Sequence, residues 1–341
     1  MLDMPLLLSA RATTASPIDL LTSAETRLLR IDTSSPRLIR VRRGVYADRE
    51  EYQGLTGAKR YAVRVHAFVR AHPDAILCLE SAAVVLGLPS FGETRDIHMY
   101  SPERRRSRRF GDVVVHTSQD ARRVERIDGV RVTSMLDTVA DLARVLPPAR
   151  AIAVVDSAIA PAQGGMLTLD ELRAHVRPQV NRRGILRLEW TWDNASALSE
   201  SPPESLSRVV IDWNGFETPI LQQVFHYEGF EDRADFYFEG SRTIGESDGW
   251  QKYELDEPVK AAKHLADEKR REDRLRRHRH PFARWDQADA WRSTPLRNAL
   301  LAAGVEIVRP AQTEMLRTLS DRSRDVPFAP HPPAPPGPSR W

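Results

Sequence analysis

The segment between Ser201 and Trp285 constrains the fold most strongly, because it alternates helix and strand patterns and carries carboxylates at fixed positions along them. Asp235 lies in one predicted strand, and Glu246 and Asp248 lie two residues apart in the next. Side chains at i and i+2 of a strand point to the same face. Glu246 and Asp248 can therefore converge on one cation, and Asp235 can join them if the two strands form a hairpin.

This set of carboxylates predicts a site for Mg²⁺ or Mn²⁺ with Asp235, Glu246 and Asp248 as ligands. Mg²⁺ is usually held by one or two carboxylates together with waters and phosphate oxygens, and phosphodiester hydrolysis is a reaction that such sites serve. Glu204 and Lys252 complete the predicted catalytic set. For Glu204 a purely structural role stays open, because the Ser-Pro-Pro-Glu sequence has the pattern of a helix capping box. For Lys252 the alternative is a surface lysine after a turn.

Charge is distributed unevenly along the chain. Residues 199–258 hold 14 Asp and Glu against 4 Lys and Arg, whereas residues 259–280 hold 9 Lys and Arg against 4 Asp and Glu. An acidic cavity beside a basic helix suits a cation together with a polyanion. We therefore predict that Lys269, Arg270 and Arg271 contact DNA phosphates; two solvated faces without a ligand are the alternative.

The composition indicates the cellular compartment. A single cysteine, Cys78, excludes an internal disulfide framework and a Cys-rich zinc site, and it fits a reducing cytoplasm. The stretch Met1–Leu8 is short, contains Asp3 and lacks the basic start of a signal peptide. No segment reaches the roughly 18 apolar residues of a membrane span. We expect a cytoplasmic protein with no membrane partner.

The N-terminal part has the pattern of a DNA-binding head. Residues 17–33 predict one or two short helices, and residues 37–46 alternate basic and apolar side chains before a glycine turn. Short helices followed by a basic β-hairpin are typical of a winged helix, in which cationic strands hold phosphates. The predicted DNA contacts are Arg37, Arg40, Arg42 and Arg43. An ordinary edge hairpin with exposed arginines remains the alternative.

The order of patterns predicts a multi-domain α/β protein. The predicted parts are a winged-helix-like head (1–58), an α/β domain (59–160), a helical connector (161–198), a domain with helix, three strands, helix, strand and helix (199–309), and a disordered tail (310–341). The tail is predicted to be disordered because seven of the last fifteen residues are proline. The basic loop 103–109 is either a phosphate contact or a solvated hairpin tip.

The carboxylate-bearing part resembles a known nuclease superfamily over about residues 195–292. Its element order and the pieces Glu204-Ser, Ala-Asp235-Phe and Glu246-Ser-Asp248-Gly are similar to the PD-(D/E)XK superfamily, in particular to domains like the very-short-patch-repair endonucleases. The resemblance implies an αβββαβ restriction-endonuclease-like core and metal-dependent cleavage of DNA.

One position departs from that superfamily. Its motif ends Glu-x-Lys, whereas Asp248 stands where the lysine belongs. Such a lysine stabilises the transition state electrostatically, and effects of this kind are large. Lys252 is the nearest candidate replacement, and Lys269 is the second.

The first half resembles the AbiEi antitoxin family of type IV toxin–antitoxin systems over about residues 16–160. The matching pieces are residues 42–46, 81–89 and 128–134. The resemblance implies a winged helix that binds DNA, often for autoregulation, followed by an α/β domain, and it allows a cognate toxin as partner. The predicted function is a DNA-binding protein with a Mg²⁺-dependent endonuclease domain in a defence or toxin–antitoxin context. The alternative is a non-enzymatic regulator or antitoxin whose nuclease fold is inactive.

Overall fold

The structure of the protein, a computed structural model, describes residues 15–248 and 258–325. Within these ranges the fold is mixed α/β with three separate sheets. None of the described helices combines the length and the apolar character needed to cross a membrane. The predicted Lys252 and the proline-rich residues after 325 lie outside the described residues.

The N-terminal part is built around a small antiparallel sheet. Its elements are β1 (Leu21–Thr22), α1 (Ser23–Leu28), β2 (Leu38–Arg42), β3 (Val45–Asp48), α2 (Arg49–Gly54) and α3 (Gly57–Ala71). The strand order is β1-β3-β2. Gly44 forms the turn between β2 and β3 with a positive φ of 78°, a conformation that glycine adopts without strain. The basic hairpin is therefore present, preceded among the described residues by a single short helix.

A six-stranded mixed sheet forms the centre of the molecule. Its elements are β4 (Ile76–Leu77), α4 (Leu79–Val85), β5 (Ile97–Tyr100), β6 (Arg108–Phe110), β7 (Val113–His116), β8 (Val124–Ile127), β9 (Val130–Thr133), α5 (Met135–Val145), α6 (Pro148–Ile159), α7 (Leu169–Val176) and α8 (Ile185–Asn194). The strand order is β6-β7-β5-β4-β9-β8, with β4–β9 and β5–β7 parallel. Every residue from 149 to 159 of α6 is buried, because neighbouring elements pack around it.

The C-terminal part contains the predicted order of elements. These are α9 (Pro202–Trp213), β10 (Ile220–Tyr227), β11 (Phe230–Phe238), β12 (Thr243–Asp248), α10 (Pro258–Arg277), β13 (Phe282–Asp286), α11 (Gln287–Arg292), α12 (Thr294–Ala302) and α13 (Thr313–Arg317). The strand order is β10-β11-β12-β13, and only the β12–β13 pair in this sheet is parallel.

Two apolar clusters hold this sheet between helices. Trp213 of α9 shares one buried cluster with Phe236 and Trp285, whereas Leu275 of α10 shares another with Ile244. Fully burying a large apolar side chain contributes about 1.5–3 kcal/mol relative to leaving it exposed. The two clusters therefore fix the helices that border the carboxylate positions.

The central and C-terminal parts are packed on one another. Ile152 of α6 belongs to the same buried cluster as residues of α9. The chain after α13 then returns to the centre, where Arg324 pairs with Glu80, and Asp325 pairs with Arg150 at 2.7 Å. The prediction of a disordered tail is therefore wrong for residues 310–325. The prolines that motivated it are concentrated after residue 325, and Leu319 supplies an apolar anchor that is 5% exposed.

Candidate metal and nucleic-acid site

The four described carboxylates that the sequence singled out line one cavity of about 1300 Å³. Glu204 comes from α9, Asp235 from β11, and Glu246 and Asp248 from β12. Residues of α10 also line this cavity. The strands and the two helices thus bring positions that are 44 residues apart in the chain into one space.

Strand register places Asp235 next to Glu246. Phe236 pairs with Gly245 in the antiparallel β11–β12 ladder, so Asp235 and Glu246 are the next residues along the two strands. The Ser247 N–H donates a hydrogen bond to Asp235 Oδ2 at 3.1 Å. This bond anchors the Asp235 carboxylate at the end of the ladder, one residue from the metal ligands predicted on β12.

The carboxylates with the best mutual geometry for a cation are Glu246, Asp248 and Glu268. One oxygen of each lies within 4.8 Å of the others. Asp235 does not belong to this group in the described structure, and its role as a ligand stays a prediction. Glu268 was not predicted as a ligand. Glu268 and Glu272 are spaced i and i+4 on α10 and so share one side of the helix, which is the only sequence signal that could have identified them.

Arg284 of β13 lies among these carboxylates. Its nitrogens approach Glu246, Glu268 and Glu272 at 3.1 Å each, and Asp248 at 3.5 Å. Burial works against the guanidinium charge, but the surrounding carboxylates outweigh it and raise the pKa of Arg284. Sequence reasoning missed this residue, because only the β12–β13 pairing brings it beside Glu246.

The ion pairs of Arg284 are close, but their hydrogen bonding is incomplete. Its Nε and Nη2 atoms are buried without a partner in hydrogen-bond geometry, although Nη2 lies 3.1 Å from two carboxylates. The short distances from Arg284 Nη2 to Glu246 and Glu272 give an electrostatic attraction, but the angles at these contacts do not allow hydrogen bonds. A buried donor without an acceptor costs free energy, so Arg284 is held here mainly by charge.

Arg271 of α10 also binds Glu246. It donates to Glu246 Oε1 at 2.5 Å and to the carbonyl oxygen of Arg233 at 2.7 Å. Together with Arg284 it sets two positive charges against the four carboxylates Glu246, Asp248, Glu268 and Glu272. Arg276 adds a third positive charge, 2.7 Å from Glu272, so the cluster carries a formal excess of one negative charge, which attracts a cation.

The other two basic residues predicted on this helix are exposed. Lys269 lies 3.5 Å from Asp273, and Arg270 lies 2.9 Å from Asp267. Surface pairs of this kind contribute about 0–1 kcal/mol, so they leave both cations available to another anion. DNA binding by these residues stays a prediction.

Glu204 has both a structural and an electrostatic role in the cavity. Its backbone N–H donates to the hydroxyl of Ser201, and that hydroxyl donates to Glu204 Oε1 at 2.7 Å. Glu204 Oε2 accepts from the N–H of Glu200 and from the amide of Gln222, each at 2.9 Å. Burial, and then repulsion from Asp235, raise the pKa of Glu204 to about 7. At neutral pH this side chain can therefore both hold and release a proton.

The predicted head arginines differ in their surroundings. Arg37, Arg40 and Arg43 are exposed. Arg42 instead lies 3.1 Å from Asp112 and 4.8 Å above the ring of Phe68. Within the described residues, Arg37, Arg40 and Arg43 have no carboxylate within 4 Å. Arg42 instead links the hairpin to the central sheet.

The fold and the cavity together define a class: an α/β protein with a carboxylate cluster between its C-terminal sheet and α10. The chain is 32% identical over 220 residues to the uncharacterized protein Rv2248 of Mycobacterium tuberculosis strain ATCC 25618 / H37Rv. The same identity and length hold for the uncharacterized protein MT2308 of strain CDC 1551 / Oshkosh. The match covers 64% of this chain and 76% of each relative, and the chain belongs to the same family. No protein-family model matches it, and no solved structure matches it significantly.

Proposed function

We propose that this protein binds nucleic acid and cleaves phosphodiester bonds with a divalent cation held by its C-terminal carboxylate cluster. The observation that carries the proposal is the approach of Glu246, Asp248 and Glu268 to within 4.8 Å of one another in a cavity of about 1300 Å³. The net negative charge of this cluster, four carboxylates against Arg271, Arg276 and Arg284, favours a cation.

The donor set fits Mg²⁺ or Mn²⁺, since hard cations take oxygen ligands. Glu246, Asp248 and Glu268 would hold the cation, with Asp235 as a further candidate. Arg284, whose hydrogen bonding is incomplete, would move away from the position between them. A bound cation would supply Lewis-acid polarisation of the phosphate and activation of water.

Glu204 is the candidate general base. A base is most effective when its pKa lies near the working pH, and the pKa of Glu204 is about 7. Arg271 lines the same cavity and would orient a phosphate. Lys252 would take the role of the lysine in the superfamily motif, which is to stabilise the transition state, and Lys269 is the second candidate.

At the level of architecture, we propose a restriction-endonuclease-like core of the PD-(D/E)XK superfamily behind an AbiEi-like N-terminal half with a winged-helix head. The order α9, β10, β11, β12, α10, β13 supports the first assignment, and the basic β2–β3 hairpin supports the second. DNA is the proposed partner, a cognate toxin is a second one, and the cytoplasm is the proposed location.

A non-enzymatic regulator is the second candidate, and one observation favours it. Arg271 and Arg284 already neutralise Glu246, which is only 5% exposed. If these ion pairs persist in the presence of Mg²⁺, the cluster is a structural network and the fold only binds DNA or a protein.

A cleavage assay separates the two candidates. Purified full-length chain is incubated with supercoiled plasmid, linear duplex and RNA in Mg²⁺, in Mn²⁺ and in EDTA. Wild type is expected to nick at least one substrate in a divalent cation only. Glu246→Gln is expected to lose at least about 100-fold in rate, because it removes a charge and leaves only a weakly coordinating amide oxygen.

The matched control is Glu189→Gln. It removes an exposed carboxylate of α8 that neither lines the carboxylate cavity nor belongs to the cation-binding group, and it should retain the wild-type rate. Binding of DNA without cleavage of any substrate, by a preparation that also binds Mn²⁺, would establish the regulator instead.

A further inference from the structure

A second cavity, of about 660 Å³, lies in the central part of the molecule and shares no lining residue with the carboxylate cavity. This volume is within the range of about 300–1,000 Å³ that is usual for small-molecule sites. Asp141 is its one carboxylate lining residue. The arginines that line it are Arg122, Arg144, Arg183, Arg187 and Arg324. We name this cavity the arginine pocket.

Two of these arginines have carboxylate partners. Arg122 lies 2.8 Å from Asp141, and Arg324 pairs with Glu80. Their charges are therefore neutralised within the protein. They form the polar wall of the pocket and do not account for its positive character.

The other three arginines have no carboxylate within 4 Å in the described part of the chain. Arg144 donates to the carbonyl oxygens of Asn181 and Arg183, and Arg187 donates to the carbonyl oxygens of Val145 and Leu146. Carbonyl oxygens satisfy hydrogen bonds, but they do not cancel a formal charge. Five arginines against Asp141 and Glu80 leave the pocket with a formal excess of three positive charges, and Asp141 and Asp120 offset that of Arg144 only in part, from beyond 4 Å.

Arg144 is the most informative of the three, because it is only 5% exposed. Its Nε atom is buried and has no hydrogen-bond partner among the described residues. Burial of the guanidinium lowers the pKa of Arg144. A buried guanidinium with no carboxylate within ion-pair distance is costly, and an anion in the pocket would relieve that cost.

The N-terminus of α8 faces the same pocket. Gly184 precedes this ten-residue helix with φ of 71° and no side-chain cap. A Cβ atom on Gly184 would lie 2.6 Å from the carbonyl oxygen of Arg144, so only glycine allows the helix to begin this close to Arg144. Free N–H groups and the helix dipole make such a terminus attractive to anions.

We propose that the arginine pocket binds a phosphorylated small molecule of nucleotide size. Phosphate oxygens match the fixed fork of donors on a guanidinium, and the pocket is larger than inorganic phosphate needs. Hydroxyl groups of Ser107, Thr117 and Ser118 line the remaining wall and supply hydrogen bonds to a sugar or base. The same chemistry would accept the 5′-phosphate end of a nucleic acid strand.

Calorimetric titration of the full chain tests this proposal with AMP, ATP, pyrophosphate and adenosine. The phosphorylated compounds are expected to bind, and adenosine is expected not to bind, because it lacks the anion. A hydrogen bond to a charged group contributes enough that losing one should weaken binding about tenfold or more. Arg183→Gln and Arg187→Gln should therefore each raise Kd by about that factor.

Arg177→Gln is the control, because Arg177 is exposed and does not line the pocket. The side chain of Arg183 is exposed as well, so its replacement should leave the fold intact. A 5′-phosphorylated oligonucleotide is compared with its unphosphorylated form; phosphate-dependent binding of the oligonucleotide alone would assign the site to a strand end. Absence of binding by every phosphorylated probe, or equal affinities for Arg183→Gln, Arg187→Gln and wild type, would overturn the proposal.

Discussion

Glu204→Gln should change how the stability of the protein depends on pH. The pKa of Glu204 is raised from an ordinary value of 4.5 to about 7, first by burial and then by repulsion from Asp235. Between these two pH values the folded state retains the proton that the unfolded state has released. Stability therefore falls as pH rises through this window and is unaffected by Glu204 below it.

The magnitude follows from the two pKa values. At about 1.4 kcal/mol per pH unit, the full effect of ionising Glu204 in the folded state is about 3 kcal/mol, of which about 2.5 kcal/mol falls between pH 5 and pH 8. Glutamine has nearly the same shape and can still accept the hydrogen bonds from Glu200 and Gln222, but it has no proton to lose.

Urea unfolding at pH 5 and pH 8, followed by tryptophan fluorescence, measures the effect. Relative to wild type, Glu204→Gln should gain about 2.5 kcal/mol in free energy of unfolding between pH 5 and pH 8. Buried Trp213, on the same helix as Glu204, reports on this region. The exposed Glu189→Gln should follow the wild-type pH dependence. Parallel curves for wild type and Glu204→Gln would refute the reasoning about burial and Asp235.

Three further outcomes are expected. Arg43→Ala should weaken duplex DNA binding on all sequences and reduce the slope of log affinity against log salt by about 0.9, whereas an unchanged slope in a salt titration would remove Arg43 from the phosphate contacts. Asp325→Ala should lower the free energy of unfolding by about 3 kcal/mol or more, because it leaves Arg150 buried without its partner; a denaturant midpoint equal to that of wild type would show that this pair does not hold the C-terminal segment. Trp213→Ala should cost about 3–5 kcal/mol in the same assay because it opens a cavity in a buried cluster, and a cost below about 1 kcal/mol would contradict the packing described for α9.

The C-terminal element order could be predicted because local signals agree there. Ser201 caps α9 through the Glu204 N–H. Ala234, Phe236 and Phe238 mark β11 as a half-buried strand, and Gly229 and Gly240 mark its boundaries. Such periodic patterns depend on near neighbours in the chain and can be read from the sequence.

The other residues of the site, and their contacts, could not be predicted in the same way. Arg284 reaches Glu246 only through the parallel pairing of β12 with β13, and Glu268 reaches it only because α10 packs over the same sheet. Arg42 looked equivalent to Arg43 in the alternating pattern, yet Asp112, 70 residues away, holds it at the central sheet. These contacts depend on tertiary structure, which residue spacing does not encode.

The predicted start of the disordered C-terminal tail, at residue 310, was wrong for a different reason. Composition averaged over a window assigned the proline content of the last residues to the whole segment from 310 onward. Residues 313–317 instead form a helix, and Arg324 reaches Glu80. Specific anchors thus override a tendency that was predicted from composition.

The most direct test of the account is a crystal structure of the protein soaked in Mn²⁺, with anomalous diffraction used to locate the ion. We expect an anomalous peak bound by Glu246, Asp248 and Glu268, with carboxylate oxygens at about 2.0–2.3 Å, and with Arg284 moved away from Glu246. A map in which Arg284 still contacts all four carboxylates, with no peak among them at millimolar Mn²⁺, would contradict the proposed cation site and the phosphodiesterase that depends on it.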